Sequence, residues 1–267
     1  MKNRYIILSI LVCIFTCGLI ILNSKLSKTA IETSTTQTSN QKNCWGIKRN
    51  SEHQQPDVGL ANRKILEENN GICLGNKDEK IIYLTFDNGY EAGYTTQILD
   101  TLKQNEVKAT FFITAHYLNT ASELVQRMIQ EEHIVGNHTV NHKSMPEITE
   151  EEIKEEVMKL HQAVYEKFGY EMKYIRPPKW EFSERTILAT NNLGYTHVMW
   201  SFAYVDWDEK KQPDEEKAKK TILDNLHNGE IILLHGNSKT NANILDSIIK
   251  EIKTQGYEIK KLDEFKK

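Results

Sequence analysis

The chain has 267 residues and 31.0 kDa, with 39% hydrophobic and 27% charged residues, 13 Gly, 5 Pro and 4 Cys. Those proportions exclude a collagen, a disulfide scaffold and a low-complexity chain, and the length suits one large domain or two small ones. The formal net charge is −3, but Lys2, Arg4, Lys25 and Lys28 lie in a start without acids, so the chain from Thr29 onward carries −7, which argues against a nucleic-acid partner.

Residues 5–22 form 18 consecutive uncharged, mostly apolar positions flanked by the four cations, close to the ~20 that a membrane-spanning helix needs. Residues 1–28 are therefore expected to be an uncleaved signal anchor, holding the rest at the cell membrane outside the cytoplasm. A cleaved signal peptide, leaving a secreted protein, is the competing reading, but residues 23–26 lack a small-x-small cleavage site. A lipid on Cys17 is a minor third option. Residues 29–43, rich in Thr, Ser, Gln and Asn, read as a flexible tether. Cys44 and Cys73 are the remaining candidates for a disulfide, against two buried thiols.

Residues 44–80 are expected to be a helical lead-in packed on the catalytic region of 81–267. Within that region β-rich runs at 81–86, 107–114, 134–136, 172–175, 195–200 and 231–234 alternate with helical patterns at 95–104, 121–132, 150–168, 183–192, 214–226 and 241–254. Such alternation marks βα units around a parallel sheet. Asp87, Thr114, His116, His138, Arg176, Asp206 and His235 each follow one of the runs, on the C-terminal sheet edge where α/β barrels and open α/β sheets place their sites.

His138 and His142 stand four apart, on one face if the stretch is a helical turn, and suit a divalent metal; the alternative is two surface histidines. Asp87 is either a turn carboxylate or, with Arg176 on the same edge to keep it ionised, a base. His235 is a candidate acid whose ring Asp206 could hold. Gly236, Asn237 and Ser238 read as a generic loop.

These motifs, TFDNG (85–89), HTVNH (138–142), RPP (176–178), VDW (205–207) and LLH (233–235), resemble in order and spacing the polysaccharide deacetylase family with its NodB homology domain, over about residues 75–262. WG at 45–46, FDNGYEAGYT at 86–95, FSERT at 182–186 and SFAYVDW at 201–207 are similar to the branch that deacetylates muramic acid before δ-lactam formation in spore cortex peptidoglycan. The resemblance implies an α/β fold, a distorted (β/α)7 TIM-like barrel, and a metal-dependent hydrolase working as a monomer on peptidoglycan glycan strands. It further implies Asp87 as base, Arg176 as the residue orienting it, His235 as acid and Asp206 as its partner. His138, His142 and Asn88 would hold a divalent metal, zinc or similar, and Tyr90, Trp180, Trp207 and Leu233 would line the substrate groove.

Two positions depart from the family. Asn88 replaces the usual Asp ligand, so the metal is expected to be held weakly, although the muramic branch shares FDNG. Trp180 stands where Gly is usual, which implies either a reshaped loop or a ring that stacks on a sugar. Two other functions compete with deacetylation of amides: a glycan-binding module that has lost catalysis, and an esterase acting on O-acetyl sugars.

Overall fold

The computed structural model describes residues 38–50 and 52–266. The expected anchor and the tether up to residue 37 lie outside them, and no helix among the described residues is long and apolar enough to cross a membrane. The lead-in contains a short strand, β1 (Asn43–Cys44), and one helix, α1 (Leu60–Glu68). The rest of residues 45–76 is largely irregular rather than helical, because Pro56, Gly59, Gly71 and Gly75 interrupt it. Cys44 is exposed, Cys73 is buried, and the two are not bonded to each other.

The run at 81–86 becomes β2 (Ile81–Asn88), with all eight residues buried, as a central strand of a parallel sheet covered on both faces requires. Next come α2 (Thr95–Gln104), β3 (Thr110–Ile113), α3 (Ala115–Thr120), α4 (Ser122–Gln130) and β4 (Ile134–Asn137). Then follow α5 (Glu150–Phe168), β5 (Tyr174–Ile175), β6 (Glu181–Phe182), α6 (Glu184–Asn191) and β7 (Thr196–His197). The last elements are α7 (Glu215–Asp224), β8 (Glu230–His235), α8 (Lys239–Thr254) and β9 (Glu258–Ile259). Helix α3 was not expected; the Thr114 hydroxyl caps it by accepting from Tyr117 N at 3.2 Å. Helix α5 matches its expected span. A reciprocal Thr149–Glu152 capping box starts it, Gly169 at φ 66 ends it, and Ile153, Val157, Leu160 and Val164 give it a buried stripe.

The main sheet runs β7-β5-β4-β3-β2-β8 with every neighbour parallel, and β9 pairs with the start of β2. Between β7 and β8 the chain is too irregular for a continuous ladder. Ile72 from the lead-in bridges to Val198, and Phe202 bridges to Ile232. Leu233 N donates to Phe202 O at 2.8 Å and Ser201 N to Ile231 O at 3.0 Å, so the two sheet margins are tied through residues 199–203. The result is an α/β fold with a parallel sheet making up much of a barrel, consistent with the expected distorted (β/α)7 form.

One glycine shapes the interior next to the site. Gly136 on β4 lies opposite Phe112 on β3, and a Cβ at Gly136 would sit 2.5 Å from the Phe112 ring. That ring is the platform on which the Arg176 guanidinium rests, 4.3 Å from its centroid. Replacing Gly136→Ala should lower stability by about 1–3 kcal/mol through overpacking, read as a lower urea midpoint at unchanged slope. A midpoint equal to wild type would show that Phe112 can move freely.

Candidate active site

Asp87 and His235 end neighbouring parallel strands and are register partners across β2 and β8, so their side chains leave the sheet side by side. Both line a cavity of about 400 Å³, together with Gly89, Tyr90, His138, His142, Lys179, Trp180, Trp207 and Asn237. Arg176 and Asp206 stand behind this wall. Arg176 is fully buried, and its Nη1 donates to Asp87 Oδ1 at 2.8 Å while Nε donates to Val198 O at 3.1 Å. Burial pushes the Asp87 carboxyl up, but Arg176, His138 and His235 together hold it below the usual carboxylate range. Asp87 is thus an ionised acceptor with its orientation fixed from below.

The same arginine orients a histidine through its backbone. His138 Nδ1 donates to the Arg176 carbonyl at 2.8 Å, leaving Nε2 as the bare nitrogen facing the cavity. His142 Nε2 lies 3.2 Å from His138 Nε2, and Asp87 Oδ2 is 3.7 Å from the latter. Burial lowers both imidazoles, His142 to about 4, so both rings are neutral at pH 7. The HTVNH run is not the helical turn that would put its rings on one face. Instead Thr139 (φ 67) and His142 (φ 55) both adopt left-handed backbone, which curls the loop until the rings meet.

The nitrogen separation matches a tetrahedral divalent ion, whose bonds of about 2.0–2.1 Å set two imidazole nitrogens about 3.3 Å apart. Two neutral imidazoles therefore fit two positions of such a site. Among the described residues no group of three or more His, Cys, Asp or Glu forms a ligating cluster. Asn88, expected as a further donor, is not on the cavity wall. It follows Asp87 in the same strand and so points to the other side, where its Nδ2 is 3.4 Å from Thr95 Oγ1 and its amide fills the space left by Gly236.

His235 is set by a separate carboxylate. Its Nδ1 donates to Asp206 Oδ1 at 2.7 Å and its backbone N to Asp206 Oδ2 at 2.9 Å. Burial lowers the ring, but the Asp206 charge and hydrogen bond outweigh it, so the imidazole is raised above its ordinary value and Nε2–H faces the cavity. Asn241 Nδ2 completes Asp206 at 2.6 Å. The loop after His235 has a specific role: Asn237 Nδ2 donates to Tyr90 OH at 2.7 Å and to the Trp207 carbonyl at 3.0 Å, joining the Tyr90 ring to the backbone that carries Trp207. The Ser238 cap three residues before Asn241 was the available signal for that loop.

The remaining expected residues divide. Tyr90 and Trp207 are exposed on the rim, and Trp180 lines the cavity with its ring edge-on to Trp200 and Trp207, centroids at 5.3 and 6.1 Å. Leu233 is not on the cavity wall. It lies two residues below His235, on the same strand face, within a cluster with Trp45, Met199 and Trp200. Thr114 caps α3 and donates to Gly89 O at 2.7 Å, whereas His116 is exposed on that helix.

Comparison with known proteins agrees with this geometry. The polysaccharide deacetylase family matches residues 74–198, a span that includes Asp87, His138, His142 and Arg176. The chain is 42% identical over 221 residues, 82% of its length, to the peptidoglycan-N-acetylmuramic acid deacetylase PdaA of Bacillus subtilis strain 168, with 84% of that protein covered. The chain belongs to the polysaccharide deacetylase family. It is accordingly a hydrolase of carbon–nitrogen bonds other than peptide bonds. The solved structure of Bacillus subtilis PdaA, described as a family 4 carbohydrate esterase, superposes with a TM-score of 0.83 at 41% identity, covering 85% of this chain and 97% of that one. A peptidoglycan-N-acetylglucosamine deacetylase of Bacillus cereus is 34% identical over 185 residues, 68% of this chain and 66% of the relative.

Replacing Asp206→Asn removes the charge that raises His235 and leaves burial, which lowers it. The basic limb of the kcat/KM profile for deacetylation should then move to lower pH, because His235 loses its proton sooner. A basic limb at the wild-type position would show that Asp206 does not set the state of this ring.

Proposed function

We propose that the chain is an extracytoplasmic de-N-acetylase of peptidoglycan that acts on N-acetylmuramic acid, in the δ-lactam pathway of the spore cortex. The observation that carries this reading is the juxtaposition of an ionised carboxylate, Asp87 on Arg176 at 2.8 Å, with a raised imidazole, His235 on Asp206 at 2.7 Å, facing one cavity. Two titratable groups pushed in opposite directions divide base and acid roles between them.

A divalent ion such as zinc, held weakly by His138 and His142, would supply Lewis-acid polarisation of the acetyl carbonyl and of a water. Asp87 accepts a proton from the attacking water as its oxygen adds to the carbonyl carbon. Arg176 keeps the carboxylate aimed and ionised throughout. His235 Nε2 then donates its proton to the amide nitrogen as the carbon–nitrogen bond breaks, giving acetate and a free amine. Tyr90, Trp180 and Trp207 offer ring faces and edges for the apolar faces of sugars.

The muramic preference is supported by the greater identity and coverage with the muramic acid deacetylase, 42% against 34% for the glucosamine enzyme, and by the shared FDNG run. The proposed location is the cell membrane, with residues 1–28 as a single-pass anchor, or secretion if that segment is cleaved. The proposed partners are glycan strands, met by a monomeric catalytic region. Against a binding-only module stands the hydrogen-bonded order of both pairs, which binding alone does not need.

The purified full chain with an added divalent metal should release acetate from glycan strands freed of stem peptides, and Asp87→Asn should lose about 10²–10⁴-fold in that rate. No acetate from wild type across several metals, or equal rates for the variant, would overturn the proposal.

A further inference from the structure

The charges that face the cavity cancel, with one exception. Asp87 is paired with Arg176, and Asp206 with His235. Lys179 remains. Its side chain is exposed and lines the cavity, and among the described residues it makes no ion pair or hydrogen bond. Glu181, a carboxylate that feels its charge, is already bound by Lys42 at 3.2 Å. A lone ammonium thus stands on the rim of a domain that otherwise has an excess of acids.

The backbone holds it there at a cost. Lys179 (φ 57) and Trp180 (φ 55) are consecutive left-handed residues, a conformation costing non-glycine residues on the order of 1–3 kcal/mol each. Three contacts offset this. Trp45 N donates to Trp180 O at 2.9 Å, β1 pairs antiparallel with β6 immediately after the bend, and the Trp180 ring abuts Trp200 and Trp207. A relaxed loop would need none of these, and the strained one keeps residues 179 and 180 together on the cavity wall.

We infer that Lys179 binds a carboxylate on the substrate, and that this carboxylate is the free lactyl group of a muramic acid residue whose stem peptide is absent. The inference rests on the function proposed above and adds to it a residue that selects among peptidoglycan sugars. N-acetylglucosamine has no carboxylate at all. Muramic acid bearing a peptide has its lactyl group tied up as a neutral amide. Only the peptide-free muramic residue offers an anion at the lactyl position itself, and among the side chains that line the wall Lys179 is the cation without a partner. A point-charge ammonium suits a single carboxylate at a wet rim, where the contact tunes selectivity more than total affinity.

The test compares peptide-free glycan strands with the same strands after their lactyl carboxylates are converted to methylamides. The wild-type full chain should prefer the acid strand. In Lys179→Gln that preference should fall about tenfold, mainly through a raised KM, and Lys179→Arg should restore most of it. Equilibrium binding of both labelled strands to Asp87→Asn, with and without Lys179→Gln, reads the same selectivity without turnover. Absence of acetate release from wild type would then count against the function alone. A wild-type chain indifferent to the two strands, or a Lys179→Gln chain that keeps the preference in rate and binding, would overturn the role of Lys179.

Discussion

The site depends on one buried ion pair. Arg176 is wholly enclosed, and its guanidinium lies over Phe112 with Nη1 on Asp87 and Nε on the Val198 carbonyl. Removing two charges from water is expensive, and a buried pair is rarely a net gain in stability. What it supplies is orientation: the guanidinium aims Asp87, and the carbonyl of the same residue fixes the His138 tautomer. The Asp87 carboxylate and the cavity-facing nitrogen of His138 are therefore both set by a single residue. Gly136 extends the dependence outward, because the absence of its Cβ is what lets Phe112 lie flat under the guanidinium.

The His235 side of the site is built independently. Asp206 takes hydrogen bonds from His235 through ring and backbone and from Asn241 on α8. Asp206 lies in an irregular stretch that needs outside support, and the Asn237 contacts to Tyr90 and Trp207 tie the rim above it. The two halves of the site meet at the register of β2 and β8, which places Asp87 opposite His235. Strand pairing thus controls a distance that no side chain could hold alone. On the other rim, the lead-in ties down the strained Lys179 and Trp180 bend through Trp45 and β1.

Much of this was legible in the residues. The fully buried run of β2, the long capped α5 and the polar residue after each strand follow from hydrophobic pattern and turn chemistry, and they locate the site on one sheet edge. Strand alternation could also have separated Asp87 from Asn88, since neighbours in a strand face opposite sides. The HTVNH loop could not be read the same way. A spacing of four suggests a helical face, but two non-glycine residues with positive φ bring the rings together by another route. Lys179 carried no periodic signal either. Its importance comes from which other charges are already paired, and pairing across the sheet is a property of the folded chain.

The central claim is that Arg176 keeps Asp87 ionised in its buried position against the desolvation that burial imposes. An NMR titration of the Asp87 carboxyl carbon in the metal-free protein measures this directly. The account predicts a midpoint below the ordinary aspartate value of about 3.9. A midpoint above that value would mean that burial wins over the ion pair, and would contradict the assignment of Asp87 as a standing base.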